Sequence, residues 1–217
     1  MNRPVLAIDD ILRTFDDRTA LRTPVPEHRS AMIALVFRET GSGLKVCLTR
    51  RTCVAGDPWS GDLAFPGGKP EPGDMTLHDT AARETFEETG LVLSPDNLIG
   101  DLGEVMARGP RRPLAAYPLV YVLEEEPPPF TLNYELDDAR WVSVASLWDA
   151  ANWSTFTYSP EREDFKAVRA MDHFLWGFSL RVLHDFSVRI GYPLTGLMEH
   201  ASLPHMDGRP IIETRIG

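Results

Sequence analysis

Cysteine is scarce in this chain, and a basic charge excess and long apolar runs are absent. Its 217 residues include two cysteines, Cys47 and Cys53, which are too few for a disulfide framework and lack partners at zinc-ligand spacing. Free thiols of this kind are consistent with a reducing compartment. Because 32 Asp and Glu outnumber 22 Lys and Arg, a nucleic-acid-binding surface is not expected. The longest apolar run, Ala31 to Phe37, is far too short to span a bilayer.

These absences indicate an ordinary globular protein. The chain starts without an apolar signal core, so we predict a cytoplasmic protein that binds neither nucleic acid nor a membrane. Its length suits one domain over residues 1–217, with a core at about 30–190 and an irregular tail over 191–217. The segments at the two ends could serve a homodimer.

The pattern of apolar residues predicts mixed strands and few helices, hence an α+β or α/β sandwich. Ala31–Phe37 is predicted to be a central strand, and Leu44–Arg50 its hairpin partner after a Thr40–Gly43 turn. Helical spacing predicts helices at Ile8–Phe15 and near residues 171–190. Further predicted elements are strands at Leu63–Pro66, Leu102–Met106, Tyr117–Leu123 and Arg140–Val144, a helix at Ala145–Ala151 and a loop at Trp153–Glu163.

The most informative stretch is a glycine-bearing loop, Gly67–Asp74, that leads into a predicted helix over Met75–Gly90. Thr76 and Asp79 have the spacing of a capping box, in which each side chain bonds the backbone of the other residue. Gly90 stands where a helix normally ends. The helix is therefore delimited by local signals at both ends.

The last turns of this helix carry three glutamates, Glu84, Glu87 and Glu88, which fall within roughly 100° of one another around the axis. The opposite side, predicted to face the core, carries Met75, Ala82 and Phe86. The acidic cluster is unfavourable by itself, because like charges repel and the helix dipole disfavours anions near its C-terminus. A hard divalent cation such as Mg²⁺ or Mn²⁺ would offset that repulsion, and a solvated charged face is the alternative.

The order of residues in this helix carries more information than the cluster alone. Gly68 followed by Arg83-Glu84-Thr85-Phe86-Glu87-Glu88-Thr89-Gly90-Leu91 resembles the Nudix box, a glycine and a spaced acid before Arg-Glu-apolar-x-Glu-Glu-x-Gly-apolar. The loop is one residue longer than the familiar spacing, so the spaced acid falls on Asp74, either a functional acid or a turn residue. Thr85 replaces the usual aliphatic residue.

The residues that precede the box make the resemblance more specific. Leu48–Arg51 and then Gly61–Gly68 resemble the signature of the coenzyme A diphosphatase branch, which also has the longer loop. That signature carries an arginine where this chain has Asp57. The resemblance covers roughly Ala31 to Leu147.

The resemblance implies the Nudix fold, an α/β/α sandwich whose mixed sheet is packed between helices, here with extra helical segments near both termini. It implies a hydrolase that cleaves the diphosphate bond of a small nucleoside diphosphate derivative, with coenzyme A or acyl-CoA as the leading substrate. ADP-ribose, NADH or another dinucleotide, and nucleoside triphosphates are the alternative substrates. A non-catalytic, nucleotide-binding Nudix module is the alternative of another class.

The resemblance also implies roles for individual residues. Mg²⁺ or Mn²⁺ would be bound by Glu84, Glu87 and Glu88 together with the backbone carbonyl of Gly68. Arg83 would fix one of the glutamates by ion pairing. The candidate contacts to substrate phosphate, at the end of the predicted hairpin strand, are Arg50 and Arg51. The general base stays open between a box glutamate, Glu135 and Asp137.

Overall fold

The computed structural model describes residues 6–26, 29–55, 59–108, 113–157 and 164–194. The α-helices, α1 to α4, are Ile8–Thr14, Leu77–Thr89, Val144–Trp148 and Gly177–Arg189. The strands, β1 to β11, are Ser30–Thr40, Gly43–Arg51, Leu63–Ala64, Gly67–Gly68, Leu98–Asp101, Val105–Arg108, Pro113–Leu123, Leu136–Ser143, Trp153–Thr157, Asp164–Ala170 and His173–Trp176. No helix within these described ranges is both long and apolar enough to cross a membrane.

The strand β1 lies at the centre of a mixed sheet, as predicted. It pairs antiparallel with β2 near their shared turn and parallel with β7 along its other edge. The pairing of β1 with β2 extends only from the turn to Phe37 and Val46. Beyond that point the short strands β3 and β4 occupy the space, β3 against β2 and β4 against β1. The Gly67–Gly68 pair is thereby held in the middle of the sheet.

Apolar residues on both faces of β1 are buried, which produces a three-layer α/β/α sandwich. Leu35 and Phe37 point into one core cluster, to which α1 and α4 contribute. Phe186 of α4 stacks on Phe37, with ring centroids 4.7 Å apart, and on Phe15, 5.9 Å away. The opposite face of β1 packs under α2 in a second cluster that includes Met32. The predicted fold class is confirmed.

Three predicted elements near the C-terminal half are wrong or displaced. Trp153–Thr157, predicted as part of a loop, forms β9. Residues 173–176, predicted as helix, form β11, so α4 begins only at Gly177. The reason is tertiary, since β9, β10 and β11 pair into a small antiparallel sheet that a local aromatic pattern does not reveal. The strand predicted at Leu102–Met106 lies at Val105–Arg108. Residues 195–217, most of the predicted tail, lie outside the described ranges.

Candidate active site

The helix α2 begins and ends where the sequence predicts. The hydroxyl of Thr76 accepts from the backbone N–H of Asp79, and the Asp79 carboxylate accepts from the N–H of Thr76 at 2.9 Å. Gly90 ends the helix in the left-handed conformation, with φ of 75°. This residue suits the position because a side chain would be strained there. Both ends of the glutamate-bearing helix are thus fixed by local bonds.

The prediction of which face of α2 points inward is wrong for two residues. Met75 is 73% exposed and Phe86 is 55% exposed, although both were expected in the core. The buried face instead contains Leu77, Ala81 and Glu88. Glu84 and Glu88 are turned toward the sheet, where the neighbouring glycine strand β4 leaves space for their carboxylates, whereas Glu87 is exposed.

Gly67 and Gly68 make that space for different reasons. The backbone N–H of Gly67 donates to Oε2 of Glu88 at 2.9 Å. A Cβ added to Gly68 would lie 2.5 Å from Oε1 of Glu84 and closer still to its Cδ. Gly67 has φ of +145°, and a Cβ there would collide with the backbone of Met32. Two glutamate carboxylates therefore lie directly against the glycine pair, of which Gly67 has a backbone conformation that only glycine adopts readily and Gly68 leaves room for the Glu84 carboxylate.

The pKa values of both carboxyl groups are raised above their ordinary value. Burial is the main cause that raises the pKa of Glu88 to about 7, and the charges of Glu84 and Glu135 raise it further against the opposing Gly67 amide. Burial also raises the pKa of Glu84, where Arg83 opposes the shift. Both shifts show that burial disfavours the charged form of these carboxylates, with a smaller contribution from the acidic neighbours.

Arg83 connects α2 to the preceding loop. Its guanidinium donates to Oδ2 of Asp74 at 2.9 Å, to the carbonyl of Lys69 at 2.9 Å and to Oε2 of Glu87 at 3.1 Å. It also lies 3.3 Å from Oε1 of Glu84. Burial opposes ionisation of Asp74, but the hydrogen bonds from Arg83, from the Glu71 amide and from a threonine outweigh it and lower the Asp74 pKa. The longer loop therefore uses its spaced acid to hold the arginine.

The four other predicted residues separate into two groups. Arg51 is near enough to Glu88 for its charge to lower the pKa of that carboxyl, and Glu135 is near enough to raise it. Arg50 instead faces Asp137, with Nη2 and Oδ2 3.9 Å apart. The ladder between β2 and β8 shifts at Arg50/Arg51, and Asp137 is the residue left unpaired in that irregularity. Asp57 lies outside the described residues.

Backbone hydrogen bonds hold the segment that carries Glu135. The N–H of Thr52 donates to the Glu135 carbonyl at 2.8 Å, and the N–H of Asn133 donates to the Glu88 carbonyl at 3.4 Å. The segment therefore bridges the end of β2 and the end of α2, the two places where the candidate site residues lie.

The donor set suits a divalent cation in type and in charge. Glu84, Glu87, Glu88 and Glu135 offer only carboxylate oxygens, the ligands preferred by Mg²⁺ and Mn²⁺. A bound cation would favour the charged form of Glu84 and Glu88, which burial and, to a smaller extent, acidic neighbours disfavour. Within the described part of the chain, no three acidic, histidine or cysteine side chains already converge as a ready metal cluster. Instead, Arg83 engages Glu84 and Glu87.

One supporting contact was not predicted. His78 lies on the buried side of α2, and its Nδ1 is 3.1 Å from the hydroxyl oxygen of Tyr121 in β7. Burial lowers the pKa of His78, so the neutral imidazole is favoured. Its spacing of three residues from Ala81 and seven from Thr85 places it on the same side of the helix as these small residues, but nothing in the sequence identifies its partner.

A mixed sheet between helices, with an acidic helix set against a glycine pair, is the architecture of a Nudix hydrolase. The NUDIX domain model matches residues 26–160, which is more than half of the chain, and the chain belongs to this family.

The relatives agree with this assignment. The chain is 23% identical over 192 residues to an uncharacterized Nudix hydrolase NudL of Photorhabdus laumondii, covering 82% of this chain and 97% of that protein. It is 29% identical over 140 residues to the human mitochondrial coenzyme A diphosphatase NUDT8, covering 62% of this chain and 58% of the relative. A peroxisomal coenzyme A diphosphatase of Saccharomyces cerevisiae is 38% identical over 77 residues, covering 36% of this chain and 22% of its own length. A MutT/nudix family protein from Enterococcus faecalis has the same fold, with a TM-score of 0.56, 22% identity and coverage of 83% and 68%.

Proposed function

We propose that this protein hydrolyses the diphosphate bond of a nucleoside diphosphate derivative, with Mg²⁺ or Mn²⁺, and that coenzyme A or acyl-CoA is the leading substrate. The observation that carries the proposal is a pair of carboxylates set against the glycine strand, the half-buried Glu84 against Gly68 and the buried Glu88 against Gly67. An acidic pair withdrawn from water in this way has little structural value, because desolvation and like-charge repulsion both oppose its ionisation.

We assign the metal-binding role to Glu84, Glu87 and Glu88, with the carbonyl of Gly68 as a further oxygen donor. When bound, the divalent cation would neutralise diphosphate charge and acidify a water molecule. Arg83 holds Glu84 and Glu87 in place through its ion pairs and is itself anchored by Asp74.

Substrate phosphate is assigned to the arginines at the end of β2. Arg51 lies on the side of the site near Glu88, and Arg50 lies beside it in sequence. A guanidinium can donate two parallel hydrogen bonds to a phosphate, which gives orientation as well as affinity. Of the candidate bases, Glu135 has the stronger support, since it lies among the box glutamates while Asp137 pairs with Arg50.

The coenzyme A assignment is supported by sequence. The motifs Leu48–Arg51 and Gly61–Gly68 precede the box, and two of the matched relatives are named coenzyme A diphosphatases. The chain spans 58% of the human relative and 22% of the yeast one, so their activity is carried here only as a proposal.

A panel assay tests this function. The full chain is incubated with Mg²⁺ or Mn²⁺ and coenzyme A, ADP-ribose, NADH, diadenosine polyphosphates or dNTPs, and the phosphate-containing products are quantified. We expect coenzyme A to be cleaved into two phosphate monoesters. Clear turnover of another substrate without turnover of coenzyme A would refute the leading substrate. Absence of all turnover would favour a nucleotide-binding module.

The matched controls are two glutamate variants. Glu88→Gln keeps an oxygen that can accept from the Gly67 N–H but removes the charge, so turnover should fall by orders of magnitude. Glu39→Gln changes an exposed glutamate at the β1–β2 turn and should leave turnover unaffected. Equal turnover by the two variants would contradict the assigned role of Glu88.

A further inference from the structure

The small sheet of β9, β10 and β11 lies beside the candidate site, although most of it is outside the matched family segment. The match ends at residue 160, whereas β10 and β11 cover residues 164–176. β11 lies next to β3, the short strand that precedes the glycine pair. A small sheet that lies mostly outside the matched family segment therefore packs beside the strand that leads to the candidate active site.

One side-chain hydrogen bond joins this layer to the loop before β3. The indole Nε1 of Trp176, at the end of β11, donates to Oδ1 of Asp62 at 3.0 Å. The ring of Trp176 is held by Phe165 of β10, with centroids 5.3 Å apart and planes inclined by 48°. The indole therefore packs against its own sheet at the same time as it bonds the loop.

Asp62 links Trp176 to Arg51 at the end of β2. Its carbonyl accepts from the backbone N–H of Arg51 at 3.1 Å, and its own N–H donates to the carbonyl of Trp59 at 3.2 Å. The same residue is thus bound by its side chain to Trp176 and by its backbone to Arg51. Arg51 in turn lies near enough to Glu88 for their charges to interact.

We propose that Trp176 is a positioning residue, which holds the Trp59–Asp62 loop through Asp62 and so sets Arg51 against the phosphates of the substrate. The second half of this statement rests on the proposed function. The first half, the link from Trp176 to the loop, can be measured without any substrate.

The kinetic test compares two tryptophans of the same sheet. Trp176→Phe keeps an aromatic ring against Phe165 but removes the donor to Asp62. Trp153→Phe removes an equivalent donor, which bonds the Leu147 carbonyl at 3.0 Å in a different part of the fold. We expect Trp176→Phe to raise KM roughly tenfold with kcat within about twofold of the parent, because a misplaced phosphate contact weakens binding. Trp153→Phe should leave KM unchanged, and equal KM values in both variants would overturn the proposal.

Substitution at Asp62 tests whether the effect passes through this residue. Asp62→Asn keeps an oxygen acceptor for the indole and should retain the parent KM, whereas Asp62→Ala should raise KM as Trp176→Phe does. The KM of the double variant Asp62→Ala/Trp176→Phe should be no higher than that of either single variant, since each substitution removes the same hydrogen bond between the two side chains. Additive effects would show that the two residues act separately.

Thiol reactivity supplies the readout that needs no catalysis. Cys53 is exposed and precedes the Trp59–Asp62 loop, and its sulfur lies 3.2 Å from the position of a Cβ on Gly61, which belongs to that loop. Cys47 is buried, so Cys53 should be the thiol that an aromatic disulfide reagent modifies. Trp176→Phe should raise the modification rate severalfold, and Trp153→Phe should not.

The two assays separate the ways in which the proposal can fail. An unchanged thiol rate in Trp176→Phe would refute the link itself. A raised thiol rate with an unchanged KM would refute its role in substrate binding. If the parent protein turned over no diphosphate, the proposed function would fail, while the thiol rates would still decide whether Trp176 holds the loop.

Discussion

Replacement of Gly68 by alanine should separate catalysis from folding. The added Cβ would lie 2.5 Å from Oε1 of Glu84, whereas nonbonded atoms of this kind essentially never approach within 3.0 Å. The Glu84 carboxylate must therefore move by roughly 0.5–1 Å, and a misplacement of about 1 Å can lower a rate by roughly 10²-fold. We expect kcat/KM to fall by about this factor.

The stability of Gly68→Ala should change little. The group that must move is the end of a flexible side chain, and the loss of glycine freedom in the unfolded chain offsets part of any strain by about 0.4–1 kcal/mol. Gly67→Ala is the contrasting variant, since its Cβ would collide with the main chain of Met32 at a φ of +145°. It should lower the free energy of unfolding by roughly 1–3 kcal/mol or more. Gly41→Ala, with no atom within 4 Å of the added carbon, is the neutral control.

The measurements are urea denaturation followed by circular dichroism and metal-dependent turnover of the substrate identified by the panel assay. Parent-like turnover in Gly68→Ala would show that the position of Glu84 does not matter for catalysis. Loss of stability equal to that of Gly67→Ala would show that the carboxylate cannot move aside. Either result would refute the reasoning.

Three further predictions concern α2. The folded-state pKa of Glu88 is raised from 4.5 to about 7, so the metal-free protein should lose about 3 kcal/mol of stability as the pH rises through that window. Glu88→Gln should remove most of this loss, leaving the part that comes from the raised pKa of Glu84, and turnover should fall by orders of magnitude. Urea denaturation from pH 4 to 8 with a chelator measures this, and a flat profile in the parent would contradict it. Arg83→Lys cannot reproduce the guanidinium hydrogen bonds to Asp74, Lys69 and Glu87. The free energy of unfolding should therefore fall by about 1–3 kcal/mol and turnover at least tenfold. Unchanged values for both would contradict the role of Arg83 in connecting the loop to α2. Among the described residues, the buried hydroxyl of Thr85 has no hydrogen-bond partner. Thr85→Val should therefore raise the free energy of unfolding by about 1 kcal/mol with turnover retained. Destabilisation would show that the hydroxyl forms a stabilising hydrogen bond.

Elements determined by neighbouring residues could be predicted from the sequence. The β1–β2 hairpin follows from an apolar run, a glycine turn and an alternating run, and it forms as predicted. The ends of α2 follow from the capping residues Thr76, Asp79 and Gly90, whose bonds span at most a few positions. The glutamates could be singled out because their spacing and order are local too.

Features that depend on distant contacts could not be predicted in this way. The exposure of Phe86 and the burial of Glu88 follow from the placement of β4 beside α2, which periodicity within the helix does not reveal. The hydrogen bond from Arg83 to Asp74 depends on the conformation of the loop between β4 and α2, which the sequence does not reveal. The bond between Asp62 and Trp176 joins residues 114 positions apart, and no local pattern reports it.

The stacking of Phe186 on Phe37 has a consequence for the order in which the protein folds during synthesis. Phe37 leaves the ribosome 149 residues ahead of the ring that covers it. At a synthesis rate of about 5–20 residues per second, this apolar face of β1 waits roughly 7–30 s for its partner. The glutamate helix is complete long before then, so the nascent chain carries its candidate site on a sheet that is still open on one side.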